Sequence, residues 1–148
     1  MQEPQSTKAT ILLIDDEPEV LAEVTAALGP AGYACHSCRD GESALALSAK
    51  CRLDLIIADI NVGGESGLDI CRRIRSYDEL ADTPVMFLSG AQIPDIIRRS
   101  HAAGGTYYLR KPFDPEVLLE LVEKALWMPH LVTSQLQARE SSAQCQPL

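Results

Sequence analysis

At 148 residues with 46% apolar content, the chain has the length of one domain and enough apolar side chains for a substantial core. Thirteen Lys and Arg against twenty-one Asp and Glu leave a net charge of −8, which argues against nucleic-acid or acidic-membrane binding by this chain alone. The five cysteines are odd in number and irregular in spacing, no apolar run nears the ~20 residues of a membrane span, and "MQEPQSTKAT" lacks signal-peptide character, so a cytoplasmic chain with reduced thiols is expected.

The first predicted element is a buried strand, "TILLID" (10–15), which runs straight into Asp15, Asp16 and Glu17. Close like charges repel and desolvated carboxylates are costly, so three acids at a strand end need an explanation. One explanation is ordinary: acids before a helix complement its N-terminal dipole. Pro18 stands where an N1 proline belongs, and Val20, Leu21, Val24, Ala27 and Leu28 share one helical face up to Gly29. "YACHS" (33–37) reads as a short strand and "DGESALALSAK" (40–50) as a short helix. "LDLIIAD" (53–59) is a second buried run that ends in an acid, Asp59. Beyond the glycine-rich "NVGGESG" comes a helix with Leu68, Cys71 and Ile74 on one face. "PVMFLSG" (84–90) is a third buried run, Pro94 opens a helix ending near Gly104-Gly105, and "TYYL" (106–109) is a strand. Asp114 then caps a helix with Pro115 at N1 and Val117, Leu118, Leu121, Val122 and Ala125 turned inward.

Five strands alternating with five helices predict an α/β fold: a doubly wound parallel sheet with helices on both faces. In such sheets functional groups gather beyond the carboxyl ends of the strands. Asp15 and Asp16 end the first strand, Asp59 the third and Ser89 the fourth, and Lys111 follows the fifth, so all five are expected on one edge. Several carboxylates together are the ligand set of a hard divalent cation such as Mg²⁺. Asp59 can then be ligand and nucleophile at once, attacking a phosphoryl group to give an aspartyl-phosphate. Mg²⁺ and the Lys111 ammonium would neutralise the repulsion between nucleophile and donor, and Ser89 would offer a hydroxyl to a phosphoryl oxygen.

"LLIDDEP", "LIIADINVGGESGLDI", "VMFLSGA" and "YYLRKPF" together resemble the receiver domain of bacterial two-component response regulators, the CheY-like superfamily. The resemblance implies a flavodoxin-like (βα)5 three-layer sandwich with strand order 2-1-3-4-5. It implies Asp59 as the phosphoacceptor. Asp16, Asp59 and the backbone carbonyl of Asn61 would hold Mg²⁺ directly, with Asp15 acting largely through a water. Lys111, before a cis bond to Pro112, would contact the phosphoryl group, and Ser89 and Tyr108 would form the switch pair. The implied partner is a sensor histidine kinase or a histidine phosphotransfer protein. The implied output is a change in protein contacts on the face built from helix 93–103, strand 106–109 and helix 115–127, including phosphorylation-dependent pairing of two copies. The chain would catalyse only its own phosphorylation and dephosphorylation.

Val62-Gly63 stand where this family often has Met-Pro, which predicts a looser loop after Asp59, and Ala91 offers no group to place a hydrolytic water. Competing readings are a phosphorelay intermediate, the N-terminal piece of a longer regulator, and a haloacid-dehalogenase-type phosphatase. The last places its nucleophile in a DxD motif after the first strand, where this chain has "DDE". "CHSC" (35–38) has no second CxxC, and on a strand Cys35 and Cys38 face opposite ways, so no metal site is expected there. The organisation read from the sequence is an N-terminal extension (1–9), a receiver domain (10–127) and a tail or linker start (128–148).

Overall fold

The computed structural model describes residues 7–90 and 106–127. Expectations placed on Ala91, on the helix opened by Pro94 with Arg98 and Arg99, and on the tail 128–148 lie outside the described residues. In chain order the elements are β1 (Ala9–Ile14), α1 (Pro18–Leu28), β2 (Tyr33–Cys38), α2 (Gly41–Ser48), β3 (Leu55–Asp59), β4 (Asn61–Val62), β5 (Glu65–Ser66), α3 (Gly67–Ile74), a 3-10 turn (Asp78–Leu80), β6 (Val85–Ser89), β7 (Thr106–Arg110) and α4 (Pro115–Trp127).

Five strands pair in parallel in the order β2-β1-β3-β6-β7. With the two-residue strands β4 and β5 set aside as a separate antiparallel pair, this is the expected 2-1-3-4-5 order. Strand side chains alternate between faces, and the core divides accordingly. Ile11, Leu13, Leu55, Ile57, Met86 and Leu88 pack with Val20, Val24 and Leu28 of α1 and with Leu118, Val122 and Ala125 of α4. Leu12, Ile14, Ile56, Ala58, Val85 and Phe87 pack on the other face with Ala44 of α2 and with Ile70, Cys71 and Ile74 of α3. Cys35 lies against the first cluster and Cys38 within the second, so the two do face opposite ways. Among the described residues no helix is long and apolar enough to cross a membrane.

Helix ends follow their sequence signals. Pro18 opens α1, and Asp40 caps α2 by accepting the Ser43 N–H at 2.7 Å. Ser66 caps α3 through the Asp69 N–H at 3.2 Å, and Asp114 accepts the Glu116 N–H at 2.9 Å at the start of α4. One inward expectation fails: Val117 is 40% exposed. Leu118, Val122 and Ala125, at i, i+4 and i+7, set the buried stripe. Val117 precedes Leu118 by one residue, about 100° around the helix, and falls off that stripe.

Candidate functional site

Backbone pairing brings the predicted residues to one edge. Register sets Asp59 opposite Leu88 and Ser89 opposite Arg110. The next backbone bonds extend these ladders past the strand ends: Asp15 N–H to Cys38 O at 3.1 Å, Ile60 N–H to Leu88 O at 3.1 Å, and Lys111 N–H to Ser89 O at 2.7 Å. The Lys111–Pro112 peptide bond is cis. Asp16, Asp59, Asn61, Ser89 and Lys111 line one cleft, together with Glu17, Gly63 and Gly64.

Carboxylate oxygens of Asp15, Asp16 and Asp59 lie within 4.8 Å of one another. The Lys111 ammonium sits 3.1 Å from Asp15 Oδ2, 3.2 Å from Glu17 Oε1 and 3.6 Å from Asp59 Oδ2. Burial pushes the Asp15 carboxyl above its usual range, an effect that the Glu17 N–H and Lys111 only partly offset. Burial raises Asp59 too, and the Asp15 charge adds to it against the attraction of Lys111. For Lys111, burial disfavours the charged form, but bonding and attraction from Asp15, then Asp59 and Glu17, outweigh it and hold the ammonium above its ordinary value.

Asp15 is committed to the protein through both oxygens. Oδ1 accepts the Glu17 N–H at 2.9 Å and Oδ2 accepts from Lys111 at 3.1 Å. Asp16 and Asp59 are therefore the better placed to meet a cation, and an all-oxygen donor set fits a hard divalent ion such as Mg²⁺. The loop after Asp59 is a hairpin. Gly63 (φ 60°) and Gly64 (φ 88°) form its two-residue corner, both in the left-handed region, as in a type I′ hairpin turn. A proline, fixed near −65°, cannot adopt the φ of Gly63. The Asn61 side chain closes the corner by accepting the Gly64 N–H at 3.0 Å.

Ser89 is buried at the end of β6. Tyr108 lies opposite Phe87 in the register and stacks on it, with ring centroids 5.8 Å apart and planes at 25°. Burial pushes the Tyr108 phenol up to about 12. The two proposed switch residues thus occupy neighbouring strands, two positions apart in register.

Three features escaped the sequence reading. Glu17 was counted among the acids but not as a partner of Lys111. Arg39 donates to the Asp16 carbonyl oxygen at 3.2 Å. Gly67 packs its Cα against the Asp59 backbone so closely that a Cβ would overlap the Asp59 carbonyl oxygen. The signal for Gly67 was present as the third glycine of "NVGGESG", but a turn glycine and a close-packing glycine look alike in a sequence.

Residues 11–123 match the family model of the response regulator receiver domain. The chain is 37% identical over 117 residues to the DNA-binding dual master transcriptional regulator RpaA of Synechocystis, with 78% of this chain and 48% of that protein covered. It is 30% identical over 117 residues to the phosphate regulon transcriptional regulatory protein PhoB of Pseudomonas aeruginosa, covering 79% and 51%. The chain thus spans about half the length of these curated relatives. Among solved structures, the chemotaxis response regulator CheY4 of Vibrio cholerae superposes with a TM-score of 0.74 at 33% identity, covering 81% of this chain and all of that one. A response regulator from Thermotoga maritima gives a TM-score of 0.70 at 31% identity, covering 80% and 97%.

Proposed function

The chain belongs to the receiver-domain family of response regulators, and from that premise we propose that Asp59 is its phosphoacceptor. The observation that carries the reading is the placement of Asp59 at the end of β3, with its Oδ2 3.6 Å from the Lys111 ammonium and its carboxylate within 4.8 Å of those of Asp15 and Asp16. An Asp59 oxygen attacks the phosphorus of a phosphohistidine. The O–P bond forms, the N–P bond breaks, and the leaving imidazole nitrogen keeps the electron pair and takes a proton from solvent. Mg²⁺, when bound, supplies charge neutralisation for the transferring phosphoryl group. Asp16, Asp59 and the Asn61 carbonyl would hold it, with Asp15 reaching it through a water. Lys111 neutralises a second part of the developing charge, and Ser89 donates to a phosphoryl oxygen.

In this reading the donor is a sensor histidine kinase or a histidine phosphotransfer protein, and the chain turns over no other substrate. The receiver unit is assigned to residues 10–127, flanked by an extension at 1–9 and a tail or linker from 128 to 148. Ser89 and Tyr108 carry the signal toward β7 and α4. The test is intact-mass analysis after incubation with acetyl phosphate and Mg²⁺. One phosphoryl adduct is expected on the wild type and none on Asp59→Ala; an adduct that persists in the variant refutes the assignment.

A further inference from the structure

Lys111 has more carboxylates around it than its role in phosphoryl transfer uses. Its ammonium has three protons. Hydrogen bonds go to Asp15 at 3.1 Å and Glu17 at 3.2 Å, whereas Asp59, at 3.6 Å, is an ion-pair contact beyond hydrogen-bond length. The two bonded acids differ sharply. The Asp15 side chain is 2% exposed and also holds the Glu17 N–H, so it is fixed in the core edge. The Glu17 side chain is 57% exposed and lies outside the Asp15, Asp16 and Asp59 cluster. It stands at the N-cap of α1 but makes no capping bond, so its carboxylate has no role in closing that helix.

We propose that Glu17 is a displaceable tether: it holds one hydrogen bond of Lys111 before phosphorylation and yields that bond to the phosphoryl group arriving on Asp59. This rests on Asp59 as the phosphoacceptor. Of the two bonds, the solvent-exposed one is the weaker, because water competes for both partners and salt screens them. The incoming group carries about −1.5 to −2 charge and strong acceptor oxygens, so it outcompetes a single exposed carboxylate. Until then Glu17 acts against transfer in two ways. It occupies one of the two protons that Asp15 leaves open to a phosphoryl oxygen, and it adds a negative charge at the mouth of a cleft that an anionic donor must enter. Glu17 is thus a positioning residue that slows phosphorylation. It also sets a preference among donors by charge.

The experiment compares phosphorylation rates of wild type, Glu17→Gln and Glu17→Ala with dianionic acetyl phosphate and with monoanionic phosphoramidate, at low and high salt. Glu17→Gln keeps an acceptor for Lys111 without the charge, and Glu17→Ala removes both. Both variants are expected to react about two- to five-fold faster, the range of an exposed ion pair converted to a rate. The gain should be larger in Glu17→Ala, larger with acetyl phosphate than with phosphoramidate, and smaller at high salt. A merely structural Glu17 would give none of the donor or salt dependence. If the wild type is labelled on Asp59 but the variants react at the same rate or more slowly, the tether is refuted and the phosphoacceptor assignment stands. A wild type that takes no label refutes both.

Discussion

Gly67→Ala tests whether the loop after Asp59 is set by backbone packing. A Cβ at Gly67 would overlap the Asp59 carbonyl oxygen and lie 3.0 Å from the Asp59 carbonyl carbon and 3.2 Å from Ile60 O. All three are peptide atoms, so no side-chain rotation relieves the contact. The Asp59 and Ile60 peptides are held on the sheet by pairing with Leu88, including the Ile60 N–H to Leu88 O bond at 3.1 Å. The start of α3 must therefore move outward, which breaks the Gly67 N–H to Ile60 O bond at 2.7 Å. Overpacking against a rigid wall costs about 3 kcal/mol, the upper part of the usual range. With a urea slope of about 1.5 kcal/mol per molar, the unfolding midpoint should fall by about 2 M. Phosphorylation should slow as well, because the loop that joins Asp59 to α3, and with it the Asn61 carbonyl proposed to hold Mg²⁺, must follow the helix outward. Gly90→Ala is the control: a Cβ there meets nothing within 4 Å among the described residues, and its φ is not in the left-handed region. It should leave the midpoint unchanged or raise it slightly, through the unfolded chain. If Gly67→Ala unfolds within 0.3 M of the wild type and accepts phosphate normally, the close-packing argument is wrong.

Asp16→Ala should reduce Mg²⁺ affinity at least ten-fold in calorimetry, since in the proposed site it removes one of two direct side-chain ligands. Ser89→Ala should still accept phosphate at Asp59 but show smaller changes in amide exchange across β7 on adding beryllium fluoride and Mg²⁺; changes as full as those of the wild type would break the proposed route through Tyr108. Cys71 should resist alkylation in the native protein while Cys35 and Cys51 react, because burial pushes its thiol up to about 12 and leaves it 3% exposed. The same shift has a stability consequence. The unfolded thiol ionises near 9 and the folded one near 12, so the Cys71 contribution to stability declines as pH rises from 9 toward 12, and Cys71→Ala should flatten that alkaline decline. Ser66→Ala removes the acceptor for the Asp69 N–H and should cost about 1 kcal/mol in urea unfolding.

The sheet was legible because each buried run is continuous and ends in a chemically distinct residue. Parallel strands buried on both faces read as unbroken apolar stretches, and "ILLI", "LIIA" and "VMFL" are such stretches. Alternation with helices implied the parallel sheet, and the family resemblance implied the strand order. The β4–β5 hairpin was not legible, because strands of two residues are defined by backbone pairing and carry no hydrophobic period. The corner was not legible either: both glycines lie in the left-handed region and the Asn61 side chain closes it, which the dipeptide alone does not show. Val117 was misassigned for a related reason: on a helix rich in apolar residues, the period alone does not say where the buried stripe ends.

The site was legible to the level of which residues meet, and not to how their charges balance. The rule that functional groups gather at strand carboxyl ends placed Asp15, Asp16, Asp59, Ser89 and Lys111 on one edge without any distances. What it could not say is that three carboxylates, Asp15, Glu17 and Asp59, surround one ammonium, with Asp16 beside Asp15 and Asp59. An ordinary capping role does not account for that excess. Dipole complementation asks for an exposed acid near the helix start, which Glu19 already supplies in the first turn of α1. Asp15 instead is buried, is raised by desolvation, and spends both oxygens on holding the loop and Lys111. A fold tolerates this arrangement only where other parts of the structure determine it, and here they do: three backbone ladders and the Gly67 contact fix the positions of the charged residues independently of their charges. The surplus negative charge is thus a property that the sheet imposes on the site, and under the proposed function it is what a bound cation would offset and an added phosphoryl group would increase.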